Sequence, residues 1–490
     1  MCDLCVAEAN AAAFAPSNQS GQSGQSSTTS LRDESSSLLS TTEQIASYLT
    51  QEYWEDSDRS ERSYDVSAGG EITVDLSNLD ATGRETARIA LDSWTALSGI
   101  EFTNSRNAQI VFDDEESGAF ATSIVDGSTI LSTEINVSST WANHGGYYLQ
   151  TYIHEIGHAL GLGHTGNYNG SANFNDDALF AHDSWQISIM SYFRQSDNPN
   201  TDATQTYLAT AQLADIVAIH RIYGTPDNVA TGDSIYGDNT NTAQFYMDLT
   251  GDLAVTIVDS DGIDTIDLGS QSYDQVVNLS AGSFSDLNGR SGNFSIALNT
   301  VIENAVTGRG SDRIIGNDAR NHLNGGAGAD ELLGDLGRDI LKGGKGNDLL
   351  LGGKGSDRLI GSGGSDELIG GQGQDTLKGA AGRDILEGGS GADVLIGGKG
   401  ADVFVFSSLA DAGDEIRDFS LSEGDQIDIS GLLAEAGTTL EEALSTGQLT
   451  LQHSDQTWIE FDANGNGEAV EIAYLTNVPI ADELDHFWFV

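Results

Sequence analysis

The 490-residue chain is short of cysteine, of proline and of positive charge. Its two cysteines, Cys2 and Cys5, both lie at the extreme N-terminus, so no disulfide can staple the body of the protein. Proline occurs four times against 59 glycines, which points to tight turns rather than extended linkers. Lysine and arginine total 21 against 75 acidic residues, for a formal net charge of −54. Bulk charge therefore argues against binding nucleic-acid phosphate or an anionic membrane. It suits a saline setting, or a protein that gathers divalent cations. No window reaches the roughly 18 consecutive apolar residues of a membrane span, so membrane insertion is not expected. The opening residues, MCDLCVAEANAAAFAPSNQS, lack a basic segment and a long apolar run, and do not read as a standard secretory signal.

What is present falls into four segments. Residues 1–39 are rich in Ser, Gln, Thr and Ala and read as a flexible leader. Residues 40–225 alternate helical and strand patterns, as an α/β domain would. TTEQIASYLTQEYW predicts a capped amphipathic helix, and 80–100 a second, with Ala87, Ala90, Leu91, Trp94 and Leu97 on one face. The runs IEFTNS, AQIVFDD, GAFATSIV and STILSTEINV predict strands. GGYYLQTYIHEIGHALGLGH returns to helical period, and 203–224 predicts a last helix, stopped by Gly224 and Pro226.

Residues 226–405 are dominated by a nine-residue repeat. Nine units from GGAGADELL to GGKGADVFV carry aspartate in sixth place: Asp330, Asp339, Asp348, Asp357, Asp366, Asp375, Asp384, Asp393 and Asp402. Leucine holds the eighth place in every unit but the last, where Phe404 stands, and a weaker preceding unit places Asp312 in phase. The pattern GGxGxDxUx is that of the calcium-binding RTX β-roll. Glycine turns let carbonyls crowd inward and aspartate adds a hard oxygen ligand. The leucines then form a ladder between two sheets, and several structural Ca²⁺ ions are expected. Rows of aspartates would repel one another without the ion, so folding should require it. Residues 406–490 alternate like strands and predict a β-sandwich-like cap on the roll.

The chemistry concentrates in HEIGHALGLGH, where three of the nine histidines fall within eleven residues. On a helix, His154 and His158 lie one turn apart on one face, and Gly161 permits the sharp turn that returns His164. Three neutral imidazoles leave one open position on a single catalytic Zn²⁺. Glu155 sits beside the metal, placed to take a proton from water. Downstream, SIMSYF offers Met190 as an apolar floor under the imidazoles and Tyr192 as a group able to reach the metal or an oxyanion.

On HEIGHALGLGH, SIMSYF, DIVAIHRIYG, IENAVTGRGSD, the nonapeptides and IRDF…DQIDISGLL, the chain from about residue 40 onward resembles the serralysin-type metzincins (peptidase family M10B), secreted zinc endopeptidases with an RTX roll. The resemblance implies an α/β zinc-protease domain followed by an all-β parallel roll. It implies His154, His158, His164 and a mobile Tyr192 as zinc ligands, Glu155 as general base, and Met190 in the Met-turn. It also implies calcium sites outside the repeat at Asp233, Asp259, Asp261, Asp264 and Glu303. The terminal DHFWFV is similar to the type I secretion signal of these proteases, so the expected partners are protein or peptide substrates and a type I export apparatus, and the expected location is extracellular. A monomer is expected.

Two features depart from the family. Thr165 follows the third histidine where proline is common, and CDLC occurs where cysteine is usually absent. Cys2 and Cys5 read either as a latency switch that supplies a thiolate to zinc in a zymogen, or as residues without a role in a disposable leader. Serine at both positions, with latency of the unprocessed chain as readout, separates the two. The edge near Gly118–Ile124 is a candidate for pairing with substrate as an added strand.

Overall fold

The computed structural model describes residues 28–242, 249, 252–453, 457–476 and 489. Cys2, Cys5 and most of the terminal DHFWFV lie outside these residues. The helix predicted from Thr41 starts at Thr28: α1 (Thr28–Ser47) runs on through a π-helical turn at Tyr48–Glu52 to a last turn at Tyr53–Asp56.

After β1 (Glu71–Asp75), α2 (Ala81–Ser98) forms where the apolar period predicts it. Asp80 caps its start, accepting the Gly83 N–H at 2.7 Å, and Gly99 ends it in the left-handed region at φ 68°. The Ala87, Ala90, Leu91, Trp94 and Leu97 stripe is buried, and the Trp94 indole donates to the Ile153 carbonyl at 3.0 Å. That bond ties α2 to α3 (Gly146–Ala159), the helix that carries His154 and His158. The remaining strands are β2 (Glu101–Asn104), β3 (Ile110–Asp113), β4 (Ala119–Asp126) and β5 (Thr129–Val137). They join β1 in the order β2-β1-β3-β5-β4, parallel except for β4, which lies at the edge and packs against α3.

The last helix of this region, α4 (Leu213–Tyr223), is half the length the sequence predicts. Residues 203–212 are held extended instead: Ala209 donates to Ala254 O at 2.9 Å, Ala254 to Tyr207 O at 2.8 Å, and Thr256 to Thr210 Oγ1 at 2.8 Å. These contacts tie the segment to the chain that leads into the roll, and tertiary pairing overrides helical propensity there.

From Ile235 onward, short strands stack into two twelve-stranded sheets. Successive nonapeptides feed opposite sheets, so strands 18 residues apart pair in parallel: Leu323 faces Leu341, and Leu332 faces Leu350. The ladder from Leu323 to Leu395 and Phe404 is wholly buried between them. The coils approach so closely that a Cβ on Gly346, at φ 127°, would sit 1.4 Å from the Gly328 carbonyl oxygen, which only glycine avoids.

Strands Asp414–Ile416 and Gln426–Asp428 continue the two sheets, and the antiparallel strands Leu449–His453, Thr457–Phe461 and Val470–Leu475 extend one of them. The described cap thus lengthens a roll sheet. It also carries two short helices, Ser430–Ala436 and Leu440–Thr446, that strand alternation did not foresee. The second rests on a reciprocal cap between Thr439 and Glu442, and both end on left-handed glycines, Gly437 and Gly447.

Because Leu359 is wholly buried in the ladder, Leu359→Ala should destabilise the roll by about 2–5 kcal/mol in calcium-containing buffer. The exposed neighbour Lys342→Ala should change stability by less than about 0.5 kcal/mol. Thermal denaturation of both variants checks this.

Candidate metal centres

α3 places His154 and His158 on one buried face, and two glycines let the chain return with His164. Gly161 has φ 103°, and a Cβ there would lie 2.1 Å from the Arg62 carbonyl oxygen. Gly163 leaves no room for a side chain against the Tyr53 ring. The helix that begins as α1 grips this loop: Trp54 donates to Gly161 O at 2.9 Å, and Gly163 N donates to Leu49 O at 2.8 Å. The ring of Tyr53 meets that of His164 edge-on.

Each histidine is oriented by a backbone carbonyl. Nδ1–H donates to Ile189 O from His154 at 2.8 Å, to Leu162 O from His158 at 2.8 Å, and to Tyr168 O from His164 at 2.9 Å. That tautomer leaves each Nε2 a lone pair, and the three rings converge. His154 Nε2 is buried with no protein partner, and the Nε2 atoms of His158 and His164 lie 3.0 Å apart. Two lone pairs at that distance repel, whereas a cation between them is a common partner. The set therefore fits Zn²⁺. Burial holds His154 and His164 well below the ordinary imidazole range and brings His158 down to about 4, so all three stay neutral, as metal ligation requires.

Glu155 is fully buried, and neither carboxylate oxygen has a protein partner; burial pushes its pKa well up. Met190 is buried beneath α3, its sulfur so close to Gly157 that a Cβ there would meet it at 2.7 Å. The turn is fixed by Asp215 of α4, whose carboxylate accepts from Ser188 Oγ at 2.6 Å, Ile189 N at 2.7 Å and Gln212 N at 2.8 Å. Ile189 in turn presents the carbonyl that orients His154. The Tyr192 ring packs against His164 with centroids 4.5 Å apart, and its hydroxyl accepts from Gly170 N at 3.4 Å.

Sequence reasoning missed Asp215 and a second buried carboxylate, Asp183, which bonds Thr165, Tyr168 and Ser191. Burial pushes each of the two up to about 6. Neither belongs to a spacing motif. For Asp215 the nearest signal is a lone acidic residue among the apolar residues that open the helix LADIVAIHRIY.

In the roll, one oxygen of each repeat aspartate accepts the backbone N–H of the residue one coil earlier, as Asp348 does from Asp330 at 3.0 Å and Asp375 from Asp357 at 2.7 Å. The other oxygen is buried without a protein partner in Asp312, Asp330, Asp339, Asp348, Asp357, Asp366, Asp375, Asp384, Asp393 and Asp402. Such a column of open hard oxygens fits Ca²⁺. The inter-coil bond continues beyond the regular repeat: Asp414 accepts from Asp393 N at 2.9 Å and keeps an open second oxygen, while Asp425 accepts from Asp402 N at 3.0 Å and, on its other oxygen, from Ser420 N at 2.7 Å. Longer coils hid both from period counting, although GDEI (413–416) and GDQI (424–427) echo each other.

Of the expected sites outside the repeat, four residues meet. Asp264 N–H donates to Glu303 at 2.8 Å, Asp264 accepts from Ser234 N at 2.7 Å, and Asp233 accepts from Ile263 N at 3.1 Å. Burial, then the charges of Asp259, Glu303 and Asp233, raise Asp264 to about 7. Asp261 touches the group through its own N–H, which donates to Asp259 at 3.3 Å. His144 and His322 are exposed, whereas Asp114, within the acidic run 113–116, is buried and accepts the Asp80 N–H at 2.8 Å.

The family described as peptidase M10 serralysin C terminal matches residues 226–475. Serralysin of Photorhabdus luminescens is 37% identical over 257 residues, covering 48% of this chain and 53% of its own. Serralysin C of Dickeya chrysanthemi is 45% identical over 175 residues, 34% of this chain and 36% of its own. Metallopeptidase AprA of Pseudomonas marginalis is 34% identical over 269 residues, 50% and 56%. The chain spans about half the length of the curated relatives it matches. A structure of myroilysin aligns with 32% of this chain and 93% of its own at 17% identity and a TM-score of 0.21, too slight a likeness to bear on the fold. The chain belongs to the serralysin family of M10 metallopeptidases. Among the described residues, no helix is long and apolar enough to cross a membrane.

The roll aspartates make a pH prediction. In the metal-free fold, burial raises Asp330, Asp339, Asp375 and Asp384 to about 7, against an ordinary value near 3.8. The fold accommodates the protonated form, so this contribution to stability is full below about pH 4 and is lost as pH rises through about 7. In excess chelator, the melting temperature of the roll should fall between pH 4 and pH 8, and calcium should abolish the fall. A midpoint that climbs with pH in chelator would contradict the reading.

Proposed function

We propose that the protein is a secreted zinc endopeptidase that hydrolyses peptide bonds in extracellular proteins. The observation that carries this is Glu155, buried with both oxygens unpartnered, beside three converging neutral imidazoles. His154, His158 and His164 hold the metal. Zinc in that position supplies a Lewis acid for the scissile carbonyl and acidifies a water. Glu155 takes a proton from the attacking water as the C–O bond forms, and passes it to the amine nitrogen as the C–N bond breaks. Its raised pKa suits a group that must both accept and return a proton near neutrality. Tyr192 shifts its hydroxyl from Gly170 to the oxyanion. Substrate lies along β4, whose outer edge has no strand partner among the described residues.

The proposed organisation is leader 1–39, protease 40–225, calcium roll 226–405 and cap with export signal 406–490. The roll stays unfolded in the calcium-poor cytoplasm, passes a type I apparatus, and folds in millimolar calcium outside. Support comes from the open aspartate oxygens of the roll and the acidic composition.

A casein assay tests the reading. Glu155→Ala should lower kcat by about 10²–10⁴-fold with zinc retained, and a zinc chelator should abolish activity. Proline at Thr122 in β4 should raise KM with a smaller effect on kcat. Full proteolysis by Glu155→Ala, or in chelator, would sink the proposal; an unchanged KM for Thr122→Pro would remove the edge-strand mode.

A further inference from the structure

Thr165, Tyr168 and Asp183 form a buried polar cluster behind His164. Thr165 and Asp183 are fully buried, and Tyr168 is 6% exposed. The Thr165 hydroxyl donates to Asp183 Oδ1 at 2.6 Å, and the Tyr168 hydroxyl donates to Asp183 Oδ2 at 3.2 Å; the two hydroxyls also touch. Ser191, the residue before Tyr192, bonds the same carboxylate. No salt bridge to Asp183 is found among the described residues, so hydroxyls alone meet the charge of a carboxylate buried at real expense.

The cluster joins three pieces that sequence keeps apart. Thr165 follows His164. Tyr168 supplies the carbonyl that His164 Nδ1–H donates to at 2.9 Å, and its ring packs against those of both His164 and Tyr192, with centroids 5.7 Å and 4.8 Å away. Ser191 precedes Tyr192. One carboxylate therefore clamps the loop that returns the third histidine to the turn that presents the tyrosine.

We propose that Asp183, with Thr165 and Tyr168, is a positioning device that sets the orientation of His164 and its register with Tyr192, and so tunes zinc affinity and turnover in this chain. Asp183 touches neither substrate nor metal; it acts through the carbonyl of Tyr168 and the backbone on either side. The inference rests on the zinc reading above.

The test is zinc affinity, measured by competition with a chromophoric chelator on the full chain, together with kcat and KM on a peptide. Removing an outer partner of a metal-binding histidine typically lowers affinity or activity 10–100-fold. Thr165→Val keeps the side-chain shape and deletes the donor; it should weaken zinc about tenfold and lower kcat with KM little changed. Thr165→Ser should restore both. Asp183→Asn should fall between wild type and Asp183→Ala. Should Asp183→Ala fail to fold, the Thr165 pair still decides. Zinc affinity within twofold of wild type in Thr165→Val and Asp183→Asn, whatever their melting temperatures, would overturn the inference. Absence of zinc binding by the wild type would instead strike the function proposed above.

Discussion

Everything at the candidate site depends on three hydrogen bonds from imidazole Nδ1–H to backbone carbonyls. Each fixes a tautomer and a ring plane at once, and together they aim three lone pairs at one another. The carbonyls come from three different places: Leu162 in the turn after α3, Tyr168 in the loop beyond it, and Ile189 in the turn of Met190. Holding those backbones is what the surrounding structure does. The Trp94 indole ties α3 to α2, Asp215 pins the methionine turn, and the helix through Tyr53 and Trp54 clamps the loop of Gly161 and Gly163.

Much of this was legible in the sequence, because repetition and spacing are sequence properties. HEIGHALGLGH implies a helix with two histidines on one face and a glycine turn, and the structure brings His154, His158 and His164 together. The nonapeptide carries its own register, and each of its eighth-place leucines is buried. Legibility failed where contacts are made across the chain. Asp215 and Asp183 stand in no pattern, and their partners lie up to 27 residues away. Residues 203–212 have helical composition, yet bonds to residues near 254–256 hold them extended. The second cap helix starts from a reciprocal cap at Thr439 and Glu442 that strand-like alternation concealed.

The N-terminal helix illustrates the same limit. Its amphipathic pattern marks Thr41 onward as helical, but nothing in the pattern reveals what its end does. A π-helical turn at Tyr48–Glu52 precedes the side chains of Tyr53 and Trp54, and these reach the returning histidine loop. A segment read as the start of a domain thereby becomes a wall of the candidate metal centre. The fit is steric: a side chain at Gly163 and the ring of Tyr53 cannot share the space.

The two candidate metal centres also differ in what they ask of the fold. Imidazoles can be buried neutral, and burial lowers the pKa of all three here; desolvation then costs little, and the three-histidine cradle can form before any ion arrives. Carboxylates are charged at neutral pH, and the roll buries a column of them with one oxygen each unpaired. Burial there is tolerable only with a proton or a cation on that oxygen. At neutral pH outside a cell the cation is the available choice, so in the proposed reading calcium is a condition of folding for the roll, while zinc is an occupant of a site already built. That division follows from the chemistry of the two side chains, and it explains how an acidic chain can carry a preformed histidine cradle and a conditional scaffold in one polypeptide.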